Sequence, residues 1–413
     1  MRSTITGLIL TLSVVSFLLI TACSQPAAKD PVRLFKEDLN FLQAKTGVIV
    51  LSNRDGQAMV AVNPDIQGRV MTSTAKGPEG LSLGWINQEL IGSGQNNIHM
   101  NAFGGEDRFW LGPEGGQFSL FFKNGSPFDL DHWFTPPPVN EGSFELVSKD
   151  RNQVVLKKEM NLTNYANFEF KIRADRTIRL LDKNQLESLG LPLTDNLDWV
   201  AFESDNRITN AGDLPWTKEN GLVSIWILGM FNPSPATTVV VPFKPGPESE
   251  LGPVVHDTYF GKIPPERLKI TDKVIYFKAD GQYRSKLGIP PRRALPFLGS
   301  YDPIHQVLTI VHYSLPENPA DYINSLWEIQ KDPYDGDVVN AYNDGPTAPG
   351  AKSLGSFYEL ESSSPGATLK PGESLSHVHT TIHLQGEEKD LEPIAKKLLG
   401  VSLEEIKQAF KSE

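Results

Sequence analysis

From Phe168 to Arg173 apolar and polar residues strictly alternate, Phe-Glu-Phe-Lys-Ile-Arg, which puts three apolar side chains on one face and predicts a half-buried strand. Gln153 to Lys158 pairs with Phe144 to Val147 across an Asp150-Arg151-Asn152 turn in the same way. Shorter β-prone runs precede them at Val48 to Leu51, Ala58 to Val62 and Arg69 to Thr72, parted by Asn53-Arg54-Asp55-Gly56 and Asn63-Pro64-Asp65 turns. Further strands are expected at Leu222–Leu228, Thr237–Pro242, Val274–Lys278, Val307–Tyr313, Phe357–Leu360 and His377–Leu384. Helical spacing is confined to the two ends. Asp30-Pro31 supplies a cap and a proline start for Val32, Phe35, Leu39 and Leu42. Near the C-terminus Leu391, Ile394 and Leu398 share a face, and after Gly400 the capping box Ser402-x-x-Glu405 opens a second helix carrying Ile406 and Phe410. The pattern is that of an all-β protein with a short N-terminal helix and two short C-terminal helices.

Composition agrees: 34 glycines and 31 prolines among 413 residues imply many turns, and 39% apolar with 22% charged residues is a folded-domain balance. No repeat or charge run divides residues 30–413, so one large domain is expected there. Fifty acidic against 39 basic residues, a net charge of −11, exclude a general nucleic-acid binder held by phosphate neutralisation. Arg2 followed by the apolar run from Leu8 to Ile20 reads as a signal peptide over residues 1–22. It ends in Ile20-Thr21-Ala22-Cys23, which resembles a bacterial lipobox, so the single cysteine is expected to carry a lipid anchor, with residues 23–29 as a tether. The absence of Asp after Cys23 resembles lipoproteins sent to the outer membrane. The expected location is the bacterial cell envelope, facing the periplasm or the cell surface.

Several residue groups could carry chemistry. In the Asn96–Gly116 segment, five glycines among polar and aromatic residues imply close backbone approach, without a GxGxxG or Gly-Lys-Ser phosphate loop. Arg108 and Trp110 point the same way if this stretch is extended and could form a sugar platform, or Arg108 could brace a loop by pairing with an acid. Arg284 and Lys286 share a strand face, which calls for an acidic ligand or for solvent at a sheet edge. Gly336 to Pro346, including Asn343 and Asp344, reads as a loop whose amides and carboxylates suit sugar hydroxyls; it lacks the spacing of a calcium loop, and Asn-Asp-Gly-Pro is also an ordinary turn. Glu359 and Glu361 project from one strand face, so one could act as a general base. His377, His379 and His383 also share a face and would suit zinc or cupin-type iron, or would simply meet solvent. No Gly-x-Ser-x-Gly elbow is present.

Three stretches together resemble the galactose mutarotase-like superfamily. They are Gly104-Gly105-x-x-x-x-Trp110-x-x-Pro113-Glu114; Asn210-x-Gly212 leading to Gly221-Leu222-x-Ser224-x-Trp226; and Tyr358-Glu359-Leu360-Glu361 followed by Leu369-x-Pro371-Gly372-Glu373-Ser374. The resemblance spans about residues 45 to 385 and is nearer to a bacterial lipoprotein branch of unknown function than to the true aldose epimerases. It implies a β-supersandwich whose concave sheet holds a sugar, with no cofactor. It also implies acid–base chemistry in which Glu361 is the base and His99 or His256 the acid, although Ser363 and Gly366 stand where the epimerases carry Gln and Asp. Arg108, Trp110, Glu114, Arg284, Lys286, Asn343, Asp344 and Glu359 are the expected ligand contacts. The implied partner is a carbohydrate, acted on or merely bound; a metal-dependent cupin-like protein is the alternative from the histidine strand.

Overall fold

A computed structural model describes residues 33–348 and 350–411. The signal segment, Cys23 and the expected helix start at Asp30-Pro31-Val32 lie outside the described residues. The first helix runs Phe35–Lys45 with Leu34 at its N-cap, where the Glu37 carboxylate accepts the Leu34 N–H at 3.0 Å. Phe35 and Leu42 bury its apolar face.

Three antiparallel sheets follow, so the all-β expectation holds. A three-stranded meander joins Ile49–Ser52, Met59–Asn63 and Arg69–Thr74. A ten-stranded sheet runs, from edge to edge, through Leu268–Ile270, Val274–Lys278, Thr238–Pro242, Phe297–Asp302, Val307–Tyr313, Ser374–Gln385, Asp198–Asn210, Glu169–Leu180, Gln153–Thr163 and Glu145–Lys149. A five-stranded sheet has the order Ser285–Ile289, Val339–Asn343, Tyr358–Ser363, Ser224–Phe231, Arg108–Gly112. The alternation read at Phe168–Arg173 extends through Glu169–Leu180, whose even-numbered residues are all buried.

Period-2 alternation assigns each strand of the larger sheet two jobs. Val239, Val241, Leu298 and Val311 face inward onto Leu287, Ile289, Ala341 and Leu360 of the five-stranded sheet. Their neighbours Val240, Ile310, Ile382 and Leu384 face outward and are covered by Leu391, Ile394, Leu399, Leu403 and Ile406 of the C-terminal helices. Each such aliphatic side chain contributes about 1.5–3 kcal/mol when fully buried. The Ser402 capping box forms as read, with Ser402 accepting the Glu405 N–H at 3.1 Å.

The sheet interface is not wholly apolar. Asp107 and Arg176, both 0% exposed, pair there at 2.6 Å, and Ser204 donates to the second Asp107 oxygen at 2.6 Å. The three histidines of the Ser374–Gln385 strand turn into this interior and not to solvent. Ser362 Oγ lies 2.8 Å from both His377 and His379, while His383 lies 2.9 Å from Thr309 Oγ1 and 3.1 Å from Glu106. Among the described residues no group of three or more His, Cys, Asp or Glu side chains gathers to hold a metal ion, so the histidine set is a hydrogen-bonded filling of the sandwich. Among those residues, too, no helix is long and apolar enough to cross a membrane.

Candidate functional site

The face of the five-stranded sheet turned away from the sandwich forms the floor of a cleft of about 460 Å³. Cross-strand register builds that floor in rows. Lys286 sits opposite Tyr342, which sits opposite Glu359, then Met230; Asn340, Glu361, Leu228 and Arg108 form the next row, and Trp226 faces Trp110 beyond it. Because side chains two apart share a face, the same strands that bury Ile225, Ile227, Ala341 and Leu360 in the core turn these residues to the opposite face, where all but Asn340 and Glu361 line the cleft. Loops supply the walls: His99 and Met100, Leu130 and Trp133, Phe260, Trp327, and Asp344, Gly345, Thr347, Lys352 and Leu354.

The Gly336–Pro346 segment is therefore not simply a loop. Val339–Asn343 is an interior strand with both faces buried, Val339 and Ala341 toward the core and Tyr342 toward the cleft. The Gly104-Gly105 pair is where close backbone approach is real. Both have positive φ, +93° and +114°, and a Cβ on Gly104 would lie 2.1 Å from the Trp85 carbonyl oxygen.

Of the residues singled out from sequence, His99, Arg108, Trp110, Glu114, Arg284, Lys286, Asp344 and Glu359 line this one cleft. Arg108 donates to Glu359 at 2.8 Å and its guanidinium lies 4.2 Å from the Trp110 ring centroid, so the two readings of Arg108, brace and platform, describe one arrangement. Glu361 is 0% exposed beneath the floor: its Oε2 accepts from Lys286 at 2.9 Å and from the Trp226 indole at 2.8 Å. Asn343 is buried, its amide holding the turn at Gly281 and Tyr283. His256 lies outside the cleft lining, paired at 2.9 Å with Asp337, which also accepts from Tyr259 at 2.5 Å.

The aromatic wall was only partly visible in sequence. Trp133 stacks on Trp327 at 6.0 Å, Trp110 meets Trp226 edge-on at 5.6 Å, and Phe260 meets Tyr342 edge-on at 5.9 Å. Trp133 and Trp327 sit in polar loop sequence, and a large aromatic stranded among polar residues was the available signal. The buried Nε1 donors of Trp110 and Trp133 and the Arg108 Nε have no protein acceptor, and neither does Glu361 Oε1 have a donor.

Burial sets the electrostatics. It pushes the Glu359 carboxyl up to about 8, against the pull of Arg108 and with help from Glu361, so Glu359 carries its proton at neutral pH. Burial also raises Glu114 and Asp344, and it opposes the neighbouring Glu361 at Lys286, where the net effect is upward. His99 Nδ1 lies 2.6 Å from the Trp133 carbonyl, which can only accept, so Nδ1 holds a proton. The cleft thus gathers a carboxyl shifted toward its protonated form, an imidazole and several cations.

Comparison with known proteins gives a family and a set of remote structural neighbours. A search of curated proteins returned no match. Among solved structures the chain is similar to a putative aldose 1-epimerase from Escherichia coli K12, with 12% identity over 83% of this chain and 99% of that one, TM-score 0.49. It is also similar to a galactose mutarotase-like protein from Lactobacillus casei, with 14% identity over 82% and 100% of the two chains, TM-score 0.46. A third is the Slr1438 protein from Synechocystis, with 13% identity over 83% and 96%, TM-score 0.47. The profile of a family of unknown function, DUF6786, matches residues 33–410, and the chain belongs to that family.

Proposed function

We propose that the protein binds a carbohydrate in the cleft over the five-stranded sheet and that Glu359 and His99 exchange protons with the bound sugar. The observation that carries this is the gathering of Trp110, Trp133, Trp226 and Trp327 with Arg108, Asp344 and Glu359 in the lining of one cleft. A sugar lays its apolar C–H face on such an aromatic surface and offers its hydroxyls to the guanidinium and carboxyl groups beside it.

Opening a sugar hemiacetal needs a proton given to the ring oxygen and another taken from the anomeric hydroxyl as the bond from the anomeric carbon to the ring oxygen breaks. Glu359, which burial shifts toward its protonated form, is the donor, and His99 Nε2, the ring nitrogen not engaged by the Trp133 carbonyl, is the acceptor. Reclosure on the other face reverses both transfers, so protons balance over the cycle. In this reading Glu361 is a positioning residue that fixes Lys286 and Trp226. The residues around Cys23 support a lipid tether to the bacterial envelope, with the cleft displayed beyond it.

The test follows anomer interconversion by NMR across a panel of sugars, together with binding. Wild type is expected to bind and interconvert, and Glu359→Gln to bind with turnover down by roughly 10²-fold or more. Binding with equal turnover in both proteins would remove Glu359 from the chemistry. Binding without turnover in either would make the protein a sugar-binding module, and no binding to any sugar would overturn the reading.

A further inference from the structure

We propose that the Arg284 end of the cleft is an anion subsite, so that the preferred ligands are acidic carbohydrates bearing a carboxylate, sulfate or phosphate. This rests on the carbohydrate reading above and narrows it.

The three basic residues nearest the floor are not equivalent. Arg108 is engaged by Glu359 at 2.8 Å, a hydrogen-bond partner in either protonation state, and Lys286 by Glu361 at 2.9 Å. Arg284 is half-buried in the cleft wall, yet no carboxylate among the described residues comes within 4.0 Å of its guanidinium. Its nearest charged neighbour by strand register is Asp344, and that carboxylate is already taken, accepting from Tyr342 at 2.8 Å and from the Gly355 N–H at 3.0 Å. Burial also draws Asp344 and Glu114 toward their neutral forms, so neither cancels the guanidinium fully.

The guanidinium is nonetheless held in place. Its carbon lies 3.7 Å from the Phe260 ring centroid, and Phe260 is itself braced edge-on by Tyr342. A ring contact uses no N–H donor in a conventional hydrogen bond, and the planar fork of a guanidinium matches the paired oxygens of a carboxylate, sulfate or phosphate. Lys352, exposed at the same end, adds a second cation without an ion-pair partner among the described residues. The aromatic contact stabilises the guanidinium and fixes its orientation, which an anion-binding group also needs.

Arg284 flanks one edge strand of the five-stranded sheet and Trp110 lies in the other edge strand, four strand spacings away, about 19 Å. Long side chains narrow that span: Lys286 Nζ, from the same edge strand that Arg284 flanks, lies 4.8 Å from the Trp226 ring, and Trp226 lies 5.6 Å from Trp110.

The experiment compares digalacturonate with its neutral methyl ester by calorimetric titration at low salt, with sulfated and phosphorylated disaccharides as further arms. Wild type is expected to bind the acid at least about tenfold tighter than the ester, and the tightest of the charged arms identifies the preferred anion. In Arg284→Met the ratio of acid to ester affinity is expected to fall toward one, and in Arg284→Lys to recover in part. Thermal melting confirms that both variants fold. Equal binding of acid and ester by wild type, or an unchanged ratio in folded Arg284→Met, overturns the anion subsite and leaves the carbohydrate reading standing. No binding to any arm overturns both.

Discussion

Glu359 makes the sharpest prediction about stability. In the unfolded chain its carboxyl titrates near the ordinary 4.5, and in the folded protein near 8. Between those values the folded state holds a proton that the unfolded state has lost, so stability falls as pH rises. The contribution is complete below pH 4.5 and is lost through about pH 8. At about 1.4 kcal/mol per pH step, ionising this buried side chain destabilises the fold by up to roughly 5 kcal/mol. Glu359→Gln keeps the shape and an acceptor for Arg108 and removes the titration. Urea unfolding of both proteins from pH 5 to 9 measures the difference directly. Wild type should lose several kcal/mol relative to the variant across that range. Parallel curves would show that Arg108 keeps the carboxylate ionised throughout, and the role of Glu359 as a proton donor would fall with them.

Three other perturbations are informative. Asp107→Asn removes the partner of Arg176 in a fully buried pair and should cost about 3–5 kcal/mol by urea unfolding, because a charge is left in the sheet interface. His379 and His377 are driven by burial down to about 4 and about 3, so the unfolded chain takes up protons below its ordinary 6.5 before the folded one does. Stability should therefore fall as pH drops from 6.5 toward 3, with a shallower fall in His379→Gln in pH-dependent unfolding. Cys23→Ser should abolish incorporation of labelled fatty acid and release the protein from the membrane fraction; unchanged fractionation would remove the tether.

The sequence displays the sandwich clearly wherever one strand face is polar. Glu169–Leu180 alternates because its outer face meets solvent, and the Ser402 cap is a local signal complete within four residues. Legibility fails where both faces are buried for different reasons. Val339–Asn343 carries Asn340, Tyr342 and Asn343 among turn-forming neighbours, and its polar side chains look like a loop until the cleft above them is seen. The histidine strand misleads for a related reason. His377 and His383 find Ser314 and Thr309, 63 and 74 residues away, and no local pattern contains those partners. Glu359 and Glu361 are the same residue type on the same face two positions apart. Only cross-strand neighbours distinguish them: Lys286 and Trp226 hold Glu361 under the floor, while Glu359 remains in the cleft lining.

The most direct measurement is a two-dimensional NMR titration of the seven tryptophan indole N–H groups with an acidic disaccharide. The Trp110 and Trp133 signals should move together along one saturable binding curve as the sugar covers the aromatic wall, while Trp199 and Trp216, outside the cleft lining, stay fixed. Indole signals of Trp110 and Trp133 that no sugar displaces would contradict the account at its centre.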